Sequence, residues 1–182
     1  MPVYIAMLRG INIGPHKRMK MEQLRAACEG LGFEEVKTYI QSGNLVFRAG
    51  KLRPEALSKK LEERIVRDFG FSSDIILRSR EDFDEIVARN PLLRERGVDE
   101  NKLHVVFARE APSPAAIRKL ESLTLEPDKV RHAGKEIYFY FPNGVSGSSV
   151  WKYPLDRILE VPGTMRNWRT VITLRGMAAE CA

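Results

Sequence analysis

Residues 36–48, VKTYIQSGNLVFR, decide the fold. Two β-prone runs, Val36–Gln41 and Asn44–Arg48, flank Ser42-Gly43, and turn chemistry of that kind closes a tight hairpin. Upstream, Val3–Arg9 is apolar and β-branched enough for a buried strand. Between the two, Met21, Leu24, Cys28 and Leu31 recur at helical spacing, and Gly32 is expected to end that helix. Downstream, Pro54 opens a second helix with Leu57, Leu61, Ile65 and Phe69 on one face, and Gly70 closes it. A strand over Asp74–Arg78 follows. The resulting order, β-α-β-β-α-β, is the split-βαβ or ferredoxin-like pattern.

Continuing outward, a short helix over Arg80–Arg89 must stop before Asn90-Pro91. The charged stretch Arg94–Asn101 reads as a connector. The order then nearly repeats: a strand over Lys102–Arg109, a helix over Pro114–Leu123, and a hairpin of Lys129–His132 and Glu136–Phe141 around Ala133-Gly134. Helices at about Ser148–Leu159 and Met165–Ala179 are expected to finish the chain. The fold expectation is therefore α+β, with two ferredoxin-like (βαββαβ-type) halves in tandem, the second ending in helices. The halves are placed at residues 1–90 and 102–182, with 91–101 between them. Neither is expected to bury enough surface to be stable alone.

The composition narrows the function classes. An apolar fraction of 43% in 182 residues suits one globular unit or two small ones sharing a core. The Val3–Leu8 run is far shorter than the ~20 residues of a membrane span, so no membrane association is expected. It also lacks the flanks of a signal peptide. Two cysteines, Cys28 and Cys181, make neither a disulfide framework nor a metal spacing, which suits a reducing cytoplasm. The net charge of +6 allows an anionic partner without demanding one.

Five stretches carry candidate chemistry. In MLRGINIGPHKRMKM, residues 7–21, a strand feeds a glycine turn and a helix N-terminus, where backbone N–H groups can face an anion. Arg9, Lys17, Arg18 and Lys20 could supply charge there, although neither the dinucleotide nor the P-loop glycine spacing is present. The hairpin groups Gln41, Ser42 and Asn44 at one sheet end. Strands one and three are antiparallel neighbours in this topology, so Asn44 is expected towards Arg9 and Asn12. PNGVSGSSVWKYP, residues 142–154, offers glycines and serines before a helix but lacks G-x-S-x-G, so a serine there reads as a cap, not a nucleophile. In GTMRNWRTVITL, residues 163–174, Thr164 or Asn167 can cap the last helix, with Trp168, Val171 and Ile172 on its core face. Arg166 then sits at a helix start, where the dipole disfavours a cation unless an anion compensates. Finally, KEIYFYF, residues 135–141, puts Tyr138 and Tyr140 on one sheet face, which could stack bases if that face were open. His16, His104 and His132 are scattered, so no metal site or cofactor is expected.

Three segments, LRGINIG…KMEQLRAACEGLGF, VKTYIQSGNLVF and TMRNWRTVITL, resemble the bacterial domain-of-unknown-function family 1697. The resemblance implies an α+β fold with ferredoxin-like halves, and it implies no reaction, cofactor or catalytic residue. The stretch SGSSVWKYPLDRILEVPG, residues 146–163, departs from the family pattern. The polar positions that carry the resemblance define a candidate ligand site of Arg9, Asn12, Lys17, Gln41, Ser42, Asn44, Arg166 and Asn167.

The leading expectation is a binding module for an anionic ligand, a nucleotide or nucleic acid. The alternatives are an enzyme acting on a small phosphorylated or carboxylated substrate without a covalent nucleophile, and a homodimeric interaction module using a strand edge or the tyrosine face.

Overall fold

The computed structural model describes residues 1–181. The chain forms two compact units, Met1–Asp84 together with the residues from Thr173 onward, and Glu85–Ile172. Each contains one four-stranded antiparallel sheet.

In the first unit, β1 (Val3–Leu8), α1 (Met21–Glu29), β2 (Glu34–Tyr39), β3 (Asn44–Arg48), α2 (Pro54–Phe69) and β4 (Ile75–Ser79) follow the expected order. The sheet order is β2-β3-β1-β4. One sheet face carries Tyr4, Ala6, Leu8, Leu45, Phe47 and Leu77, which join Leu24 and Cys28 of α1 and Leu57, Leu61 and Ile65 of α2 in one core. The helical spacing of the last five is what puts both helices on that face. On α2, Pro54 takes the first turn and Gly70 ends the helix at φ 76, the asymmetry its sequence announced. The α1 terminus differs from expectation: Gly30 is the cap and Gly32, at φ 82, bonds back to Glu29.

The second unit repeats this plan with β5 (Leu103–Ala108), α4 (Pro114–Glu121), β6 (Lys129–Ala133), β7 (Glu136–Tyr140), α5 (Leu155–Leu159) and β8 (Gly163–Asn167). Its sheet order is β6-β7-β5-β8. After each sheet comes one more helix, α3 (Arg80–Ala88) and α6 (Trp168–Glu180). The architecture is therefore α+β with two β-rich halves, consistent with tandem ferredoxin-like units.

Two expectations are corrected. Residues 163–167 form a strand, not the first turn of the last helix, so the second half completes its βαββαβ set before ending in a helix. The predicted long helix over 148–159 is a 3-10 turn at Ser149–Lys152 followed by the five-residue α5, with Pro154 between them.

The strand registers show how closely the halves correspond. Ile5 pairs with Arg78 and Val105 with Arg166; Tyr4 pairs with Ser79 and His104 with Asn167. Met7 faces Asn44 as Phe107 faces Glu136. Ser79 and Asp82 cap α3 reciprocally, and Asn167 accepts a bond from the Thr170 amide at the start of α6. Side-chain identity has diverged at most of these positions, yet the backbone positions match one for one.

Candidate functional site

The β1–α1 connection of the first unit is built around Asn12. Its Nδ2 donates to the Met19 carbonyl at 2.9 Å and to the Gln41 carbonyl at 2.8 Å, while its Oδ1 accepts from the Met19 amide at 2.8 Å. The Asn12 amide also bonds the Lys17 carbonyl at 3.0 Å. One side chain thus closes the 12–19 loop and ties it to the β2–β3 turn. Ile11 and Met19 are buried at the two ends of this loop, anchoring it to the core. Asn tolerates the left-handed conformation that Asn12 adopts, φ 54.

The hairpin turn is fixed with equal care. Asn44 is fully buried, and its Nδ2 donates to the Tyr39 carbonyl and to Ser42 Oγ, each at 3.0 Å. Gly43 has φ 82, and a Cβ there would lie 2.6 Å from Ile11 Cδ1 and 2.9 Å from Leu8 Cβ. Only glycine meets both demands. Of the five non-glycine residues at positive φ among those described, Asn12, Lys17 and Ile40 lie in these two abutting segments.

A cleft of about 560 Å³ opens beside them, lined by Asn12, Arg18, Met19, Lys20, Gln23 and Gln41. Arg18 and Lys20 are exposed, and among the described residues neither is engaged by a carboxylate. Lys20 precedes α1 and gives it no side-chain cap. First-turn amides of a helix have no intrahelical acceptor, so cationic side chains and backbone donors converge at this end, with Glu22 the one acidic residue of the turn. Chemically, the arrangement can accept an anion.

The sequence-predicted residues therefore fall into distinct places. Asn12 and Gln41 line the cleft, and Ser42 and Asn44 shape the turn beside it. Arg9 is directed to Asp74, Nη1 to Oδ2 3.5 Å, and its carbonyl accepts from Ser73 Oγ. Lys17 donates from Nζ to the Ser72 carbonyl at 2.8 Å. Arg166 and Asn167 belong to the second unit. Arg166 lies in β8, where its Nη1 donates to Thr164 Oγ1 at 2.7 Å and to the Met165 carbonyl at 2.9 Å, and burial pulls its guanidinium down to about 10. Its expected conflict with a helix dipole disappears, because it is not in a helix. Gln23 was not singled out by the sequence; its place in the first turn, three residues after Lys20, was the available signal.

Other candidates resolve into structure. Tyr138 is buried, with its hydroxyl donating to the Ile86 carbonyl at 2.9 Å, so it is no open stacking platform. Tyr140 donates to the Gly97 carbonyl. Ser148 caps the following turn, as a serine of this stretch was expected to, and its Oγ donates to Asp128 at 2.6 Å. Trp168 and Val171 are core residues as expected, whereas Ile172 is exposed. The divergent 146–163 stretch contributes to a mostly apolar cleft of about 390 Å³ that includes Trp151, Tyr153, Leu155 and Met165. Among the described residues, no group of three His, Cys, Asp or Glu side chains could hold a metal, and no helix is long and apolar enough to cross a membrane.

A model of the family described as a protein of unknown function, DUF1697, matches residues 1–138, and the chain belongs to that family. Among solved structures it is similar to conserved bacterial protein SP0830 from Streptococcus pneumoniae, with 26% identity and a TM-score of 0.79. That likeness covers 97% of this chain and 98% of the other. No curated protein matches it.

Proposed function

We propose, for a chain whose family name assigns no activity, that it is a binding module for a small anionic ligand seated in the β1–α1 cleft. The observation that carries the reading is the pair Arg18 and Lys20, two cations without a carboxylate partner, beside an uncapped helix start and a cleft of about 560 Å³. In this reading Arg18, Lys20, Gln23 and Gln41 touch the ligand. Asn12, Ser42 and Asn44 hold the cleft in shape, and Arg9 and Lys17 fasten its outer loop to the segment before β4.

The second half supplies an internal comparison. At the equivalent β5–α4 corner the connection is short, and Ser113 caps α4 by accepting from the Ala116 amide at 3.1 Å. The first half keeps a longer connection, places lysine at the cap position, and leaves the helix start open. Two buried, unpaired thiols, Cys28 and Cys181, support a reducing, cytoplasmic setting for the protein.

Thermal denaturation of the full chain with inorganic phosphate, sulfate and simple carboxylates tests the reading. Binding raises stability by about 2.7 kcal/mol at a ligand concentration a hundred times Kd. The expected result is a shift that the Arg18→Ala, Lys20→Ala double variant abolishes while its unliganded midpoint stays close to the parent's. Absence of a shift with every anion would refute it.

A further inference from the structure

The second unit holds a separate cleft of about 390 Å³, a volume that suits a small organic molecule. Its floor belongs to the core of that unit: Val106 and Leu159 are buried, and the half-buried Tyr153, Leu155 and Met165 pack against the same cluster. Trp151 also lines it and is 54% exposed. Both aromatic side chains use their polar ends away from the opening. Trp151 Nε1 donates to the Val145 carbonyl at 2.6 Å, and the Tyr153 hydroxyl donates to the Thr124 carbonyl at 3.4 Å. What remains of each is ring surface, fixed before anything binds, so little side-chain order is lost on contact. Met165 adds a polarisable chain that adapts to an irregular guest. Of the residues that line this cleft, all except Val106 lie beyond residue 138, where the match to the family model ends.

Two charged residues line the cleft, Asp156 and Arg157. Asp156 already has a partner within the protein. Arg157 is exposed, and among the described residues no carboxylate engages it. The long stem of an arginine can follow an apolar wall and bring its head over an occupant, where the guanidinium matches a carboxylate with two parallel hydrogen bonds. We infer that this cleft binds a small organic acid with an apolar body, an aromatic or branched aliphatic carboxylate. The body lies against Trp151, Leu155 and Met165, and the carboxylate meets Arg157. One cation balances the single charge of a carboxylate. A phosphate monoester, at about −1.5 to −2, would leave charge uncompensated beside Asp156. A docked helix needs apolar contacts over successive turns, more length than an opening of this volume provides.

Tryptophan fluorescence of the full chain reads this directly, because the other tryptophan, Trp168, is buried. The chain is titrated with phenylacetate, its neutral amide, and straight-chain carboxylates from acetate to hexanoate. Emission should move to shorter wavelength as Trp151 is covered, and Trp151→Phe should abolish the response. Affinity should rise about fourfold for each methylene buried. Phenylacetate should bind roughly tenfold more tightly than phenylacetamide, and Arg157→Gln should erase that preference while leaving amide binding unchanged. The Arg18→Ala, Lys20→Ala double variant should respond as the parent does, which separates this cleft from the one in the first unit. Emission unmoved by every acid would overturn the inference. Equal binding of acid and amide, or a preference that survives Arg157→Gln, would do the same. So would light scattering that shows a dimer dissociated by Trp151→Ala, since a second copy would then be the occupant.

Discussion

Replacing Asn12 tests whether one side chain builds the cleft. Three side-chain hydrogen bonds, at 2.9, 2.8 and 2.8 Å, are lost in Asn12→Ala. Each net contribution is about 0.5–1.5 kcal/mol, and because the group is partly exposed the lower half of that range applies, roughly 1.5–3 kcal/mol for the three. Alanine at φ 54 adds backbone strain of about 1–2 kcal/mol, for a total of about 2.5–5 kcal/mol. Asn12→Gly loses the same three bonds but tolerates the left-handed backbone, so it should be less destabilising than alanine by about 1 kcal/mol. Asn12→Asp keeps the acceptor for the Met19 amide but turns a carboxylate towards two carbonyls. It should fall close to glycine or below it. Urea denaturation of the three variants reads these differences directly, and in all three phosphate binding should weaken because the Met19 and Gln41 segments are no longer joined. An Asn12→Ala cost below about 1 kcal/mol, or no advantage of glycine over alanine, would refute the reasoning.

Gly43→Ala should destabilise the first unit by about 2–4 kcal/mol, combining strain at positive φ with overpacking against Leu8 and Ile11; a midpoint within error of the parent would contradict the Cβ contacts at 2.6 and 2.9 Å. His104, half-buried with its ring edge-on to Phe141, is held below the usual histidine range by burial. The unfolded chain therefore takes up the proton first, and stability should fall as pH drops below about 6.5. Denaturation midpoints across that range should show His104→Phe losing less stability than the parent, and equal losses would assign the pH dependence elsewhere.

The parts of the fold that were legible in the sequence are those where local chemistry and the packing agree. Ser42-Gly43-Asn44 supplies both the turn and the buried amide that holds it. Pro54 and Gly70 mark both ends of α2. Strand β8 was not legible for the opposite reason: its buried positions are Thr164 and Arg166, polar residues, with Arg166 Nη1 donating to Thr164 Oγ1 and to the Met165 carbonyl. No apolar alternation announces such a strand. The site divides the same way. Topology alone brings the first turn to the hairpin, so Asn12 and Gln41 could be placed together. What Arg9 and Lys17 do depends on Asp74 and Ser72, partners more than fifty residues away in the chain, and no local pattern encodes that choice.

The internal repeat makes one substitution especially informative. Ser113 caps α4 through the Ala116 amide, three residues on; the corresponding geometry at α1 would join position 20 to the Gln23 amide. Lys20→Ser should therefore install the second half's cap in the first, stabilising the unliganded protein by about 0.5–1 kcal/mol. The same change removes one cation and occupies one of the backbone donors that face the cleft, so phosphate affinity should fall further than in Lys20→Ala, which removes the charge alone. A stability gain coupled to a binding loss is the pattern expected where an open helix start is kept for use. Stabilisation with phosphate affinity equal to that of Lys20→Ala would mean that the amides at this terminus do not meet the ligand, and that the cations alone hold it.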